Sequence, residues 1–314
     1  MPGTRNLYPS PVQLSVVIIT YNEEANIGRT LASVAPLVRD GQGEIIVVDS
    51  GSTDRTVEIA RQHGAKVFIE AWKGYAAQKN SAIEKACGDW ILSLDADEEA
   101  ETRLVEELQN FLFPSPEALR HQSARLQRLK QFKYLYSRRT WNQMRARAQQ
   151  DGNPEGYFVA FAGFWIRRRN FFLGRWIKHG GFCPDPKLRL FRRGTAQFEN
   201  RAVHEDVRLE GGVTGELKGA LIHHSYPTLT DFIEHMNRYS SLGAEMTGPR
   251  GFILIDIVLR PAATFLYNYV LRLGFLDGRE GLLLHLYHAA YVSWKYAKAW
   301  ELKSRSRESG VGSR

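Results

Sequence analysis

Four short apolar runs in the first hundred residues constrain the fold more than any other feature of the chain. Each is three to seven residues long and rich in β-branched or large apolar side chains, which is typical of buried strands. The runs are Leu14–Thr20, Glu44–Asp49, Val67–Ile69 and Trp90–Leu94. Helical patterns separate them, so the sequence predicts an α/β fold, with a parallel sheet and helices on both of its faces.

Polar residues follow three of these runs, at the edge where such sheets bind their ligands. Asp95 and Asp97 follow the fourth run, and alternate residues of an extended chain point the same way. Their oxygens would suit Mg²⁺ or Mn²⁺. Alternatively, Asp97, Glu98 and Glu99 form the first turn of an acidic helix, and we expect Glu98 and Glu99 to be helix-start residues.

Charge is distributed unevenly along the chain of 314 residues. Residues 1–114 carry 10 Lys and Arg against 17 Asp and Glu, whereas residues 115–314 carry 32 against 17. This asymmetry predicts a metal-binding catalytic part joined to a part that faces an anionic partner. The two cysteines fit a reducing compartment, and residues 1–13 contain no apolar segment of signal-peptide length, so we expect a cytoplasmic protein.

The absence of two known nucleotide-binding motifs argues against two classes of enzyme. The turn after the first run has neither the glycine pattern of dinucleotide dehydrogenases nor the lysine pattern of P-loop NTPases. The residues present instead resemble family 2 of the glycosyltransferases, across about residues 14–110. The resemblance rests on Val16–Glu24, Asp49–Asp54, Gln78–Asn80 and Asp95–Asp97. It implies a mixed, Rossmann-like sheet of glycosyltransferase A type, a nucleotide-sugar donor and a divalent metal ion.

The same resemblance implies roles for individual residues. Tyr21 and Asp49 would lie against the uracil and ribose, Lys79 near the nucleotide, and Asp95 and Asp97 at the ribose, diphosphate and metal. Asn22 and Glu23 belong to the same donor-binding set. One of His223 and His224 could be a third metal ligand, although a histidine satisfied within the core or a loop is the more usual interpretation.

A second block resembles a narrower branch, the lipopolysaccharide-core β-1,4-glucosyltransferases. It comprises Leu188–Phe191, with Arg189, followed by Val203-His204-Glu205. By this likeness Glu205 is the base that takes the acceptor proton, His204 supports the site, and Arg189 faces phosphate or acceptor. Asp206 is a rival base. Without the resemblance, a salt bridge between Glu205 and Arg201 would be the favoured interpretation.

Two regions predict an anionic partner. Residues 115–160 form a predicted basic helical insertion, suited to anionic lipid, to a phosphorylated glycan or simply to solvent. Residues 229–303 are predicted to be a helical region lying in a membrane interface, because charges and Pro261 interrupt every apolar stretch before it reaches spanning length. A soluble helical subdomain is the alternative. The catalytic domain would span residues 14–228, and residues 304–314 would be a disordered tail.

Together these features predict an inverting, metal-dependent hexosyltransferase that moves glucose from UDP-glucose onto a lipid-linked glycan, such as the lipopolysaccharide core. It would be bound peripherally to the inner face of the cytoplasmic membrane. A non-catalytic membrane-surface protein that retains the fold is the alternative function. No RNA-recognition motif is present, so no nucleic-acid partner is expected.

Overall fold

A computed structural model describes residues 14–113, 161–199 and 207–309. The contacts of these residues divide them into two compact units. The sheet unit comprises residues 14–113, 161–168, 186–199 and 207–222, and the helical unit comprises residues 169–185 and 223–309. Residues 169–185 and 223–228 are thus grouped with the C-terminal helices, and the predicted domain bounds, 14–228 and 229–303, stay predictions. The predicted insertion at residues 115–160 lies outside the described residues.

The described part of the chain contains eleven strands. They are β1 (Leu14–Thr20), β2 (Gly43–Asp49), β3 (Lys66–Ile69), β4 (Trp90–Asp95), β5 (Glu98–Ala100), β6 (Phe161–Phe172), β7 (Arg175–Trp176), β8 (Asp185–Arg192), β9 (Ala196–Phe198), β10 (Val207–Leu209) and β11 (Val213–Tyr226). The α-helices described are α1 (Ile27–Val34), α2 (Thr56–Gln62), α3 (Tyr75–Glu84), α4 (Thr102–Leu112), α5 (Leu229–Thr247), α6 (Arg260–Phe265) and α7 (Gly278–Ser309).

The main sheet has the strand order β3-β2-β1-β4-β8-β6-β11-β5, with β7 paired to β6. Strands β3, β2, β1 and β4 run parallel, whereas β8 pairs antiparallel to β4, so the sheet is mixed. The register places Asp49 beside Thr20 and Asp95 beside Ile19. The carboxyl ends of β1, β2 and β4 therefore meet at one edge, as the sequence predicts.

Alternate residues of the central strands fill two cores. On one face, Val16, Ile18 and Leu92 pack with residues of α1, α2 and α4. On the other face, Val17, Ile46 and Ile91 pack with α3. Both faces of the strands are apolar because both are covered by helices. The predicted α/β class, with a mixed sheet and helices on both faces, is confirmed.

The acidic residues after β4 do not start a helix, so that prediction was wrong. Glu98 and Glu99 lie in β5, and α4 begins only at Thr102. Glu98 is fully buried, between the buried Ala96 and Ala100, and it forms ion pairs with Arg189 and Arg168. These distant arginines make a buried strand position possible for a residue that would otherwise favour a solvated helical turn.

The helical unit contains α5, α6 and α7, together with two π-helical segments, Ile255–Leu259 and Leu266–Leu271, and a 3₁₀ turn, Gly274–Asp277. The side chains of Thr228 and Asp231 form a capping box at the start of α5. Helix α7 continues to Ser309, so residues 304–309 of the predicted disordered tail are helical, and residues 310–314 lie outside the described part of the chain. Within the described residues, no helix has the length and apolar character required to cross a membrane.

Candidate active site

The loops after β1 and β2 are joined by hydrogen bonds. The amide of Asn22 donates to Oγ of Ser52 at 2.8 Å, and Oδ1 of Asn22 accepts from the amide of Thr53 at 2.8 Å. Asn22 adopts a left-handed conformation, with φ of 53°, which Asn tolerates better than most residues. Beside it, the side chain of Tyr21 is 57% exposed. Hydrogen bonds therefore hold the two loops together at one edge, and the Tyr21 side chain there is exposed to solvent.

Asp49 organises the loop after β2. Its Oδ1 accepts from the amides of Gly51 at 2.9 Å and Ser52 at 2.8 Å, and its Oδ2 accepts from the hydroxyl of Ser52. Asp49 is fully buried, and these contacts match those of an aspartate that stabilises a turn. Its predicted contact with the uracil and ribose stays a prediction.

A buried network of charges surrounds Asp95. Nζ of Lys79 lies 2.9 Å from Oδ1 of Asp95, and the Arg189 guanidinium contacts Oδ2. The same Nη2 of Arg189 lies 2.6 Å from Oε1 of Glu98, while Nη1 of Arg168 lies 3.4 Å from that oxygen. The amide of Asp95 donates to Oε2 of Glu98 at 3.0 Å. Lys79, Asp95, Arg189, Glu98 and Arg168 are called the charge network below.

The charge network fixes the ionisation of Asp95 and Arg189. Burial alone would raise the pKa of Asp95, but the neighbouring charges of Arg189 and Lys79 hold it well below its usual value. Burial would lower the pKa of Arg189, but Asp95 and Glu98 raise it above its usual range. Asp95 is therefore an anion whose two oxygens both contact cations. Its predicted metal role, and the predicted donor contact of Arg189, stay predictions.

Asp97 lies in the turn between β4 and β5, two residues beyond the anchored Asp95. Its side chain is half-buried, and its negative charge acts on Glu23. Its carboxylate has the hard oxygens that Mg²⁺ and Mn²⁺ prefer. Within the described residues, no group of three His, Cys, Asp or Glu side chains is arranged to hold a metal ion.

Glu23 lies within the electrostatic reach of Asp97 and Asp95, and these three residues are called the carboxylate edge below. Its amide donates to Oγ1 of Thr56 at 2.7 Å, and its Oε2 accepts from the amide of the Asn26 side chain at 2.8 Å. Burial raises the pKa of Glu23, the hydrogen bond from Asn26 opposes the rise, and the charges of Asp97 and Asp54 add to it. A carboxylate held among like charges stores electrostatic repulsion that a bound cation would relieve.

Glu23→Gln is expected to increase the free energy of unfolding at about pH 7, because it removes a charge that is costly to bury and is repelled by Asp97 and Asp54. A carboxyl group whose pKa is raised by folding destabilises the folded state only above its ordinary pKa of 4.5. The gain should therefore grow as the pH rises through and above that value, and vanish at about pH 3. Thermal unfolding of both proteins at the two pH values measures it. The same difference at both pH values would contradict this electrostatic origin.

The β9–β10 hairpin packs on α3 next to Lys79. The side chain of Asn80 donates to the carbonyl of Phe198 and accepts from its amide, both at 2.9 Å. Nζ of Lys79 lies 5.1 Å from the centre of the Phe198 ring. Val207 of β10 pairs with Phe198. The chain segment that carries His204, Glu205 and Asp206 joins these two strands, and those three residues lie outside the described part of the chain.

The two predicted histidines belong to the helical unit. Nδ1 of His223 lies 2.8 Å from Oδ1 of Asn170 and 2.6 Å from Oγ of Ser225. The His224 ring stacks on Phe171 at a centroid distance of 5.7 Å. These contacts resemble those of structural histidines, and a metal role for either one stays a prediction.

Sequence reasoning missed two members of the charge network, Glu98 and Arg168. The alternation of Ala96, Glu98 and Ala100 was a usable signal, because small residues at period two mark the buried side of a strand. No comparable signal singles out Arg168 from its neighbours Arg167 and Arg169.

Several known proteins are similar to this chain. The lipopolysaccharide core biosynthesis glycosyltransferase LpsC of Rhizobium meliloti is 28% identical over 308 residues, which cover 93% of this chain and 94% of LpsC. An uncharacterized glycosyltransferase of Rickettsia typhi is 28% identical over 94% of this chain and 89% of its own length. Another, from Rickettsia felis, is 48% identical over 103 residues, and there the match spans only 35% of the relative's length.

A crystal structure of glucosyl-3-phosphoglycerate synthase from Mycobacterium tuberculosis, in complex with Mn²⁺ and UDP-glucose, is 33% identical over 28% of this chain and 34% of its own. The TM-score is 0.26, so this likeness carries no argument about the rest of the fold.

A sequence profile of glycosyl transferase family 2 matches residues 15–193, which is more than half of the chain. The matched range includes all four parallel strands and the described members of the charge network, together with Tyr21, Glu23, Asp49 and Asp97. The mixed sheet is the one expected for a glycosyltransferase of A type. The chain belongs to glycosyl transferase family 2.

Proposed function

We propose that this glycosyltransferase moves glucose from UDP-glucose, with inversion, onto a lipid-linked glycan such as the lipopolysaccharide core. The observation that carries the proposal is the carboxylate edge formed by Glu23, Asp95 and Asp97 at the ends of two parallel strands. The family supports sugar transfer. The acceptor class is supported by similarity to LpsC over 94% of that protein's length. The choice of UDP-glucose rests on the resemblance to lipopolysaccharide-core glucosyltransferases.

On the donor side, Tyr21, Asn22 and Asp49 would bind the nucleoside, and Asp97 would hold a divalent ion beside the diphosphate. When bound, such an ion supplies positive charge that stabilises the leaving diphosphate. Asp95 does not need to be a direct ligand, since Lys79 and Arg189 already occupy both its oxygens. In this proposal the charge network fixes the end of β4, and thereby the position of the Asp97 turn.

On the acceptor side, Glu205 would accept the proton of the attacking hydroxyl group. As the acceptor oxygen forms its bond to the anomeric carbon, the bond from that carbon to the diphosphate oxygen breaks and UDP leaves with the electron pair. Attack opposite the leaving group inverts the configuration. Asp206 is the alternative base. The described strands that flank this segment support the assignment, because β9 and β10 pack on α3 beside Lys79.

Donor binding is tested by thermal unfolding with a panel of nucleotide sugars and Mn²⁺. UDP-glucose at about 100 times its Kd is expected to add about 2.7 kcal/mol of stability, or a rise in Tm of roughly 5 °C. Asp97→Asn should lose most of that rise, because it weakens the cation site. Glu58→Gln, an exposed carboxylate paired only locally with Arg55, is the matched control and should keep it.

Two outcomes would oppose the donor assignment. A full shift in Asp97→Asn would remove Asp97 from the metal site. If no nucleotide sugar raises the Tm, the alternative function, a non-catalytic membrane-surface protein, would be favoured instead.

A further inference from the structure

The helical unit exposes an unusual amount of apolar surface in one stretch of chain. Thirteen large hydrophobic side chains between residues 252 and 276 are each exposed over 38–72% of their surface. Soluble proteins rarely expose a contiguous apolar patch of this kind without a partner. This set of exposed side chains, which includes Leu254, Leu259, Leu266 and Leu271, is called the outer face below.

The acidic and amide side chains in and next to this stretch are buried, whereas Arg260 and Arg272 are exposed. Asp256 is 3% exposed, Asn268 9% and Asp277 2%. Asp256 is paired with Arg250 at 2.8 Å and with Arg260 at 3.0 Å, while Asp277 accepts the amide of His179 at 2.8 Å. A helix on the surface of a water-soluble protein normally has the opposite arrangement, with apolar residues inside and polar residues outside. The inverted pattern suits an apolar medium outside.

The geometry of the helix keeps the exposed apolar residues of 254–271 on one side of the helix axis. Exposed apolar residues recur in adjacent pairs every four positions: four pairs belong to the outer face, at 254/255, 258/259, 266/267 and 270/271, and the exposed Ala262 and Ala263 lie between them. In an ideal α-helix of 3.6 residues per turn, a four-residue repeat would rotate around the axis by about 40° at each step. The π-helical segments Ile255–Leu259 and Leu266–Leu271 have more residues per turn and reduce this rotation. The apolar pairs therefore form one stripe.

The exposed charged side chains of residues 250–276 are all positive. Between residues 250 and 276 the sequence contains Arg250, Arg260 and Arg272, and Asp256 is the sole acidic residue there. Asp256 is buried, whereas the side chains of Arg250 and Arg260 are 41% and 51% exposed. A symmetric contact between two copies of this face would bring together two stretches that each contain three arginines and one buried aspartate, a net charge of +2. Anionic lipid headgroups supply the complementary charge, and the long arginine stems allow the guanidinium groups to reach them.

We propose that the outer face lies in the interfacial layer of a lipid bilayer containing anionic headgroups. Residues 254–271 would extend about 27 Å along the surface, at 1.5 Å per residue. The polar side of the helix would face the protein and the apolar stripe the acyl boundary, as in amphipathic helices that lie in the interface plane. This inference goes beyond sugar transfer and does not rest on it.

The test is co-sedimentation of the full chain with vesicles of phosphatidylcholine, with and without about 30% phosphatidylglycerol. We expect stronger binding to the anionic vesicles, weakened but not abolished by high salt, because the apolar contact is independent of salt. Leu254→Glu and Leu266→Glu, at positions 61% and 57% exposed, should each reduce the partition coefficient about tenfold or more without lowering Tm.

Met246→Glu is the matched control. Met246 is 63% exposed, lies outside the outer face, and its replacement changes the net charge by the same amount. It should bind vesicles nearly as the wild type does. Equal losses in all three variants would mean that charge alone controls binding, and would overturn the proposal. Absence of vesicle binding together with a concentration-dependent dimer that Leu254→Glu dissociates would assign the face to a second copy instead. Sugar transfer to a detergent-solubilised acceptor is independent of this result.

Discussion

Replacing Arg189 by methionine is expected to lower the free energy of unfolding by about 3–5 kcal/mol, the usual cost of removing one partner from a buried ion pair. Arg189 is 5% exposed and contacts both Asp95 and Glu98. Without its guanidinium, Lys79 still neutralises Asp95. The fully buried Glu98 keeps the hydrogen bond from the amide of Asp95, but its remaining cationic contact is the 3.4 Å one with Arg168. The effect is therefore expected to arise mainly from Glu98.

Chemical denaturation of the wild type and the variant measures this difference. Arg208→Met is the matched control, because the Arg208 side chain is 71% exposed and its ion pair with Glu199 is 3.7 Å long, so its loss should cost at most about 1 kcal/mol. Adding Glu98→Gln to Arg189→Met should recover part of the lost stability by removing the uncompensated charge. If Arg189→Met costs no more than Arg208→Met, the charge network does not hold the end of β4.

Glu205→Gln is expected to slow sugar transfer by about 10²–10⁴-fold, the range over which a positioned general base contributes. Glutamine keeps the size of the side chain but cannot accept the acceptor's proton at neutral pH. Binding of UDP-glucose should be unchanged, because the donor contacts are assigned to the carboxylate edge of the sheet.

Single-turnover transfer, with donor binding measured separately, distinguishes these effects. Asp206→Asn is the companion variant and should retain most of the activity. A near-normal rate in Glu205→Gln together with a large loss in Asp206→Asn would move the base to Asp206. A parallel loss of donor binding in Glu205→Gln would indicate a structural role instead.

The parallel half of the sheet was predictable because local and tertiary preferences agree there. Leu14–Thr20 and Trp90–Asp95 are apolar on both faces, and helices cover both faces. The polar residues after these strands could then be brought to one edge by the rule for parallel sheets alone. That reasoning placed Tyr21, Asp49, Asp95 and Asp97 correctly at the ends of their strands.

The charge network was not predictable in the same way. Glu98 follows two other acidic residues and locally resembles the first turn of a helix. Its position in a strand depends on Arg189, which is 91 residues away in the chain, and on Arg168. Which of several arginines is buried is decided by tertiary packing, and a single sequence does not contain that information.

The structure of the helical unit was predictable only in part. The composition of residues 251–276 was sufficient to predict helical structure, but the π-helical segments were not predicted, and the interfacial position of these helices stays a prediction. The four-residue repeat of exposed pairs can be recognised in the sequence only once it is known that Asp256 and Asn268 are buried, because their burial identifies the inner side of the helix. Interpretation by the α-helical period of 3.6 obscures it.

We propose that the carboxylate edge of this sheet binds a nucleotide sugar for transfer to a lipid-linked glycan. The most direct test is mass spectrometry of a lipopolysaccharide-core acceptor after incubation with the wild type, UDP-glucose and Mn²⁺. We predict the addition of one hexose, lost with EDTA and nearly lost in Asp97→Asn. An unmodified acceptor, despite donor binding that the thermal shift detects, would contradict the account.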